Sequence, residues 1–472
     1  MEGDVPGNDQ AMSVATPSGA APSASAATPP NAPTVRATGA ATSAFDPAAT
    51  PGGTGRSTPA YLRRQSIVIV VTALVAGLLS AWVVDGRRAA VERIADNAEP
   101  LVVAVRSIQT DLAAADAAAA NAFLAGGIEN ATQRLAYEQA LDRASNALDR
   151  AVRRVGDDEA SHAELTEIIR DVQRYSGLVE TARANNRQGF PVGAAYLTAA
   201  SRVLSDDIYP LTDGLANRAE DRYRDEYNDQ LSSSLLLVGL ALASVAVLIA
   251  LLARVQRFLS AHFRRSVNVA LAASTVTAVG LFTWLAYGFN QQASQLRTAR
   301  LDGYHGVRLM VDARAAAFGA KGDESRFLIA RGNGDPDEAR FQTRVQLLES
   351  AEAPRGLLAQ AADSADDPAE ANVVEEATRA WRLYRETHDS EVVGQAERDL
   401  AVATALTTSN DRFDRFDLAS TEAVEAGQAQ FDGAMDRASR ALRFLTPASV
   451  VLAVVIALLA GFGLQLRINE YR

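Results

Sequence analysis

Residues 235–287 read LLLVGLALASVAVLIALLA (235–253), RVQRFLSAHFRR (254–265), one serine, and VNVALAASTVTAVGLFTWLAY (267–287). Two apolar runs without Asp, Glu, Lys, Arg or His thus flank a short connection that carries Arg254, Arg257, Arg264 and Arg265 and no acid. A helix rising 1.5 Å per residue needs about 20 apolar residues to cross a hydrocarbon core, and both runs meet that length. Two more uncharged runs, Ser66 to Val84 and Ala448 to Leu466, do the same. Four such runs argue for four transmembrane helices rather than four buried core helices. The first follows a tail too long for a signal peptide and is read as an uncleaved span.

Orientation follows from the arginines. Arg56, Arg63 and Arg64 precede the first span, and the cluster at 254–265 fills the connection between the second and third. The positive-inside rule places these segments in the cytoplasm. Arg87 and Arg88, on the opposite flank, oppose this weakly, and the denser cluster decides. The expected order is a disordered cytoplasmic tail (1–62), span (63–86), extracytoplasmic bundle (87–231), span (232–254), cytoplasmic Arg-rich loop (255–265), span (266–288), second extracytoplasmic bundle (289–445), span (446–468) and a cytoplasmic C-terminus (469–472). The fold class is therefore all-α and integral to the cell membrane, multi-pass, with both termini inside.

The tail is Ala, Pro, Ser, Thr and Gly with few large apolar residues, a composition unable to offset its ordering entropy. Thr16, Thr28 and Thr58 stand beside prolines and could accept phosphate, although a solvated low-complexity tail accounts for them as well.

Matching residues suggest an internal duplication of span, outer domain and span. Ile249 to Ala253 and Ile456 to Ala460 share Ile-Ala-Leu-Leu-Ala; Arg63-Arg64 and Arg264-Arg265 introduce the first and third spans, which carry Trp82 and Trp284. Phe123, Leu124 and Tyr137 correspond in order to Phe327, Leu328 and Phe341. Each outer segment reads as a four-helix bundle. In the first, Leu141, Ala144, Leu148, Val152 and Val155, then Leu165, Ile169, Val172, Tyr175 and Val179, recur at helical spacing. Breaks fall at Gly126-Gly127, Gly156-Asp157-Asp158 and Gly189-Phe190-Pro191. Ser161 with Glu164 resembles a capping box, and Asp335-Pro336 and Asp367-Pro368 each read as a cap followed by proline in the first turn. Residues 191–253 are expected to form one rod from the outer bundle into the second span. Small-residue pairs such as Ala73 with Gly77, Gly239 with Ala243, and Ala457 with Gly461 would allow close packing of spans.

The chemistry expected from such a chain is sparse. A net charge of −11 argues against a nucleic-acid partner, and the absence of cysteine removes disulfides, thiolate metal sites and a cysteine nucleophile. His162, His262, His305 and His388 do not fall at metal-ligand spacing, there is no phosphate-binding glycine loop, and no cofactor is implied. Asp157-Asp158 and Asp366-Asp367 sit at helix starts, where carboxylates favour the helix dipole. Trp381, Arg382, Tyr384 and Arg385 form the most ligand-like group, yet a core tryptophan beside solvated arginines accounts for them. No enzyme motif appears, so the chain is read as non-enzymatic.

Uncharged spans speak against a transporter or channel. A receptor kinase or chemotaxis receptor would fit the outer bundles but needs a cytoplasmic output domain, and the inner parts expected here are a tail, a short loop and a few terminal residues. A relay to a separate cytoplasmic protein and a structural or scaffolding envelope protein stand as alternatives. From Arg63 onward, the inner tail, the two span–bundle–span units and the arginine-rich loop resemble the GlnX-type four-span membrane proteins of high-GC Gram-positive bacteria. That resemblance implies a relay in amino-acid sensing: an extracytoplasmic solute-binding lipoprotein of the GlnH type reports aspartate or glutamate, and the signal passes to a soluble Ser/Thr kinase of the PknG type. It transfers no contact residue. Arg254, Arg257, Arg264 and Arg265 are the candidate contact with the cytoplasmic partner; setting topology and meeting anionic lipid is their simpler role. A homodimer is a further expectation left open.

Overall fold

The computed structural model describes residues 58–93, 99–126, 131–262, 268–298, 304–352, 355–365 and 367–469. The expected disordered tail, including Thr16 and Thr28, lies outside the described residues up to position 57. The described residues are helical and contain no strand.

Helices α1 (Thr58–Arg93), α2 (Glu99–Ala125), α3 (Ala131–Arg154), α4 (Glu159–Arg187) and α5 (Val192–Arg202) come first. A π-helical segment, π1 (Val203–Ile208), joins α5 to α6 (Tyr209–His262). Then follow α7 (Val269–Thr298), α8 (His305–Ile329), α9 (Asp335–Glu349), α10 (Leu357–Ser364), α11 (Pro368–Thr387), π2 (His388–Val393), α12 (Arg398–Thr404), π3 (Ala405–Ser409), α13 (Asn410–Arg443) and α14 (Leu445–Asn469).

The breaks follow local chemistry. Gly126, Gly156 and Gly189 have φ of 68°, 67° and 72°, a region strained for any residue with a Cβ, and each ends a helix. Asp158 is the N-cap of α4: its carboxylate accepts from the backbone N–H of Ala160 and Ser161 and from the Ser161 hydroxyl. The capping box expected at Ser161 and Glu164 is therefore displaced by one turn, because Asp158 reaches the free amides first. Glu164 instead pairs with Arg218 of α6. Asp367 caps α11 through the Ala369 N–H at 2.9 Å, with Pro368 in the first turn. Asp335 does not cap; α9 starts at that residue, and Gly334 precedes it without a side-chain bond.

Four helices, within Tyr61–Glu92, Leu235–Ser260, Val269–Thr298 and Arg398–Leu466, are long and apolar enough to cross a membrane. They form a closed ring in which α1 packs on α14, α14 on α7, α7 on α6 and α6 on α1. Gly77 permits the closest approach: a Cβ there would overlap that of Ala453. Gly239 faces open space, so the small pair Gly239 and Ala243 does not mark a helix crossing. Leu236, Val269, Val276, Leu458 and Phe462 point away from the ring and are exposed. α1, α6 and α7 run past the expected spans on the side of the head, whereas α14 agrees with its expected span to within one residue at either end. α6 also continues to His262, because Val255 and Leu259 keep its inner face buried, so most of the expected 255–265 loop is helix.

The remaining helices form a head above the ring. Within it, the two segments read as separate bundles share one buried core, which includes Ile108, Leu112, Tyr137 and Tyr175 of the first and Leu309, Phe341, Trp381 and Phe416 of the second. α2 lies against α8, and the buried Thr110 hydroxyl donates to the carbonyl of Val311 at 3.1 Å. The reason is compositional. Ala113, Ala115, Ala117, Ala119 and Ala120 make α2 thin on every side, so it can be packed from both directions.

Candidate functional site

Helix α8 is the second central helix of the head, and it buries four ionisable residues within six positions: Lys321, Asp323, Glu324 and Arg326. Buried charges require partners. Their partners divide into two clusters on different sides of α8.

The first cluster bridges the two segments. Arg326 donates to Asp116 of α2 at 2.5 Å, to Asp323 at 2.8 Å and to the Ser201 hydroxyl at the end of α5 at 3.0 Å. Ser201 in turn donates to Asp116 at 2.8 Å. Asp323, whose side chain has no exposed surface, also accepts from Arg340 Nε at 3.1 Å and Arg344 Nε at 2.8 Å, both on α9. Burial alone would raise the Asp323 pKa, but Arg326 and Arg344 outweigh it and hold the carboxyl below its ordinary range. For Arg326, burial acts to lower the pKa and the attraction of Asp116 and Asp323 reverses this, so it stays charged.

Beside this cluster lies a cavity of about 390 Å³ lined by Asp116, Arg202, Asp206, Arg326, Arg340 and Arg344, among others. A neighbouring cavity of about 370 Å³ shares Ala113, Tyr209 and Arg344 with it, so the two form one cleft between the segments. At the far end of that cleft, Arg106 meets Asp213 at 3.3 Å and Asp312 at 3.5 Å.

The second cluster is enclosed in the second segment. Glu324 accepts from Lys321 at 2.6 Å, from the Ser409 hydroxyl at 2.8 Å and from His388 Nδ1 at 3.0 Å. His388 Nε2 reaches Glu338 at 3.0 Å, and Phe341 stacks on the imidazole with ring centres 3.5 Å apart. Burial opposes protonation of His388, but hydrogen bonds to Glu324 and Glu338 overcome it and raise its pKa to about 9. Glu324 falls to about 2: burial pushes it up, and the Lys321 and His388 cations pull it down further. The imidazole is thus a cation with both N–H groups donating. Lys321, Glu324 and His388 are locked in mutual bonds, and among the described residues no group of three or more His, Cys, Asp or Glu could hold a metal ion.

π-helical turns surround both clusters. His388 opens π2, Ser409 closes π3, and Ser205 and Asp206 of π1 line the cavity. Such turns insert an extra residue into a helix and recur at functional sites.

The sequence-derived candidates lie elsewhere. Arg254 and Arg257 lie on the last turns of α6, past its apolar stretch, while Arg264 and Arg265 lie outside the described residues. Trp381 and Tyr384 are fully buried, Arg382 is exposed and Arg385 pairs with Glu349, so that group is core with a charged rim. Asp116, Lys321, Asp323, Glu324, Arg326 and His388 do not stand out as a site in the sequence. Their one signal there is the concentration of four ionisable residues at 321–326, including the single lysine, directly after the uncharged stretch Ala315 to Ala320.

Residues 90–228 match the family model of the actinobacterial sensor domain. No curated protein and no solved structure matches the chain. The matched stretch contributes Asp116, Ser201, Arg202 and π1 to the cleft; Arg326, Arg340 and Arg344 come from beyond it.

Proposed function

We propose that this protein is a non-enzymatic transmembrane signal relay. In this reading the ring of apolar helices crosses the cell membrane, the head lies outside, and both termini and the Arg254 end of α6 face the cytoplasm. The observation that carries it is the placement of the sensor-domain match. Its last helix is α6, which continues from the head through the apolar run to His262. With α5 and π1, residues 192–262 form a helical rod on the order of 100 Å long. A rod packed in the head at one end and in the ring at the other can transmit a shift of about 1–2 Å or a rotation.

The finer content of the proposal rests on the resemblance to GlnX-type proteins. The input is an aspartate or glutamate signal delivered by a solute-binding lipoprotein, the output is a cytoplasmic Ser/Thr kinase, and the two halves are products of an internal duplication. Arg254, Arg257, Arg264 and Arg265 form the proposed inner contact.

The test is purification of tagged protein from gently solubilised membranes, with mass spectrometry of its companions. Co-purification of a solute-binding lipoprotein and a soluble kinase is expected, with kinase recovery reduced in the Arg254→Ala, Arg257→Ala double variant. Recovery of cell-wall proteins alone would replace the relay with an envelope scaffold.

A further inference from the structure

We propose that the cleft between the two segments is itself a binding site for a small carboxylate anion, and that π1 reports its occupancy. Four arginines, Arg202, Arg326, Arg340 and Arg344, and two aspartates, Asp116 and Asp206, line the 390 Å³ cavity; Asp323 and Asp337 pair with three of the arginines, so the attraction for an anion lies in unengaged N–H groups and not in surplus charge. That volume lies at the small end of ligand pockets.

The guanidinium groups are aimed by an internal carboxylate. Asp323 binds Arg344 through Nε alone and Arg340 through Nε, and Asp337 takes one terminal nitrogen of Arg340. Both terminal nitrogens of Arg344 and one of Arg340 are left without a protein partner among the described residues. Gly319 makes room for this arrangement, since a Cβ there would overlap the Arg344 guanidinium. Arg202 is exposed at the end of α5, and its side chain has no ion pair among the described residues. Paired terminal N–H groups held in a plane match the two oxygens of a carboxylate. The buried charge of Arg326 is countered without these nitrogens, by Asp116, Asp323 and Asp337.

The site also touches the element best able to respond. Leu204, Ser205 and Asp206 of π1 line the cavity, and Ser201, two residues before π1, is tied to Asp116 and Arg326. A carboxylate shared between Arg344 on α9 and Arg202 on the rod would draw the two together across the cavity. A π turn holds one residue more than an α turn. Its loss or movement turns the following helix by about 100° or slides it by about 1.5 Å. Binding does not depend on the relay reading, whereas its transmission through α6 rests on it.

The experiment uses the purified full-length protein in lipid nanodiscs with succinate as the probe. The chain has no cysteine, so Asn217→Cys, on the exposed side of α6 more than two turns beyond π1, gives a single labelling site for a fluorophore. Succinate should bind saturably, raise Tm and shift the label's emission. Arg344→Met should weaken binding about tenfold or more, the loss expected for a charge-assisted pair, and Arg202→Gln several-fold. The exposed, unpaired Arg202 keeps the test valid should Arg344→Met fail to fold. Absence of saturable binding would overturn the site, as would unaltered binding in Arg202→Gln. Equal stabilisation by chloride at matched ionic strength, or by inorganic phosphate, would overturn the carboxylate assignment. Binding without a shift in emission would overturn the role of π1. None of these outcomes alters which proteins co-purify with the chain.

Discussion

Helices α2 and α8 lie side by side in the head and are aligned in sequence by the pairs Phe123 with Phe327 and Leu124 with Leu328, yet their interiors differ. Where α8 has Lys321 and Glu324, α2 has Ala117 and Ala120; its one buried acid, Asp116, turns toward α8. Both helices pack through buried alanines, Ala313, Ala316, Ala317 and Ala320 on α8 among them, but α8 adds four buried charges whose ion pairs fix the directions of their partners. An alanine contact has no preferred direction, whereas a buried carboxylate with three donors holds each donor in place. The second segment is therefore expected to be the more rigid side and the first, which carries the sensor-domain match, the side that loosens when the bonds of Asp116 to α8 are weakened.

This contrast can be broken most directly at Glu324. Glu324→Ala would strand Lys321 and His388 in the core, and a loss of about 3–5 kcal/mol is expected by denaturant unfolding of the head. A variant as stable as the parent would show that the cluster does not lock α8. Asp116→Asn should cost less, about 1–3 kcal/mol, since Arg326 keeps Asp323. Its signature is increased hydrogen exchange in α5 and π1 with α11 unchanged; equal loosening of both segments would contradict the assigned rigidity.

Titration sharpens the same contrast. His388 is raised to about 9, so its stabilising contribution is complete below its unfolded value near 6.5 and is lost as pH rises through 9. Glu324 is lowered to about 2, so its contribution is present above about 4.5 and is lost as pH falls toward 2. Thermal scans from pH 6.5 to 10 should show a declining Tm that His388→Gln flattens; an unchanged slope would mean that His388 is not the group responsible.

The smallest effects belong to the ring. Gly77→Ala should destabilise by about 1–3 kcal/mol through overlap with Ala453, and Gly239→Ala, which faces open space, should stay within about 0.5 kcal/mol of the parent. Equal effects in thermal unfolding would mean that α1 and α14 do not meet at Gly77.

Helices and their limits were legible where the sequence carries local punctuation. Gly126, Gly156, Gly189 and Asp367 act on their own neighbours, so reading along the chain finds them. The apolar helices were legible because a run of about 20 residues without a charge is the length a bilayer core demands and a water-facing helix seldom reaches. The joining of α2 to α8 was not, because it links residues some 200 positions apart, as in Thr110 with Val311, through alanines that prefer no partner. The charge clusters were hidden for a related reason. A Lys321–Glu324 pair at helical spacing reads as a solvated face until the helices around it are placed. π1 escaped because an extra residue in a helical turn leaves no trace in composition.

In the ring, α1 and α14 run antiparallel, with Gly77 beside Ala453 and Val70 beside Gly461. The described chain therefore starts and finishes side by side, at the end of the ring remote from the head. A circular permutant that links Asn469 to Thr58 through a short tether, and opens new ends between α6 and α7, would keep every helix pair described above. Continuity of the polypeptide between α6 and α7 would then be dispensable for assembly, and any need for it would belong to what that connection touches.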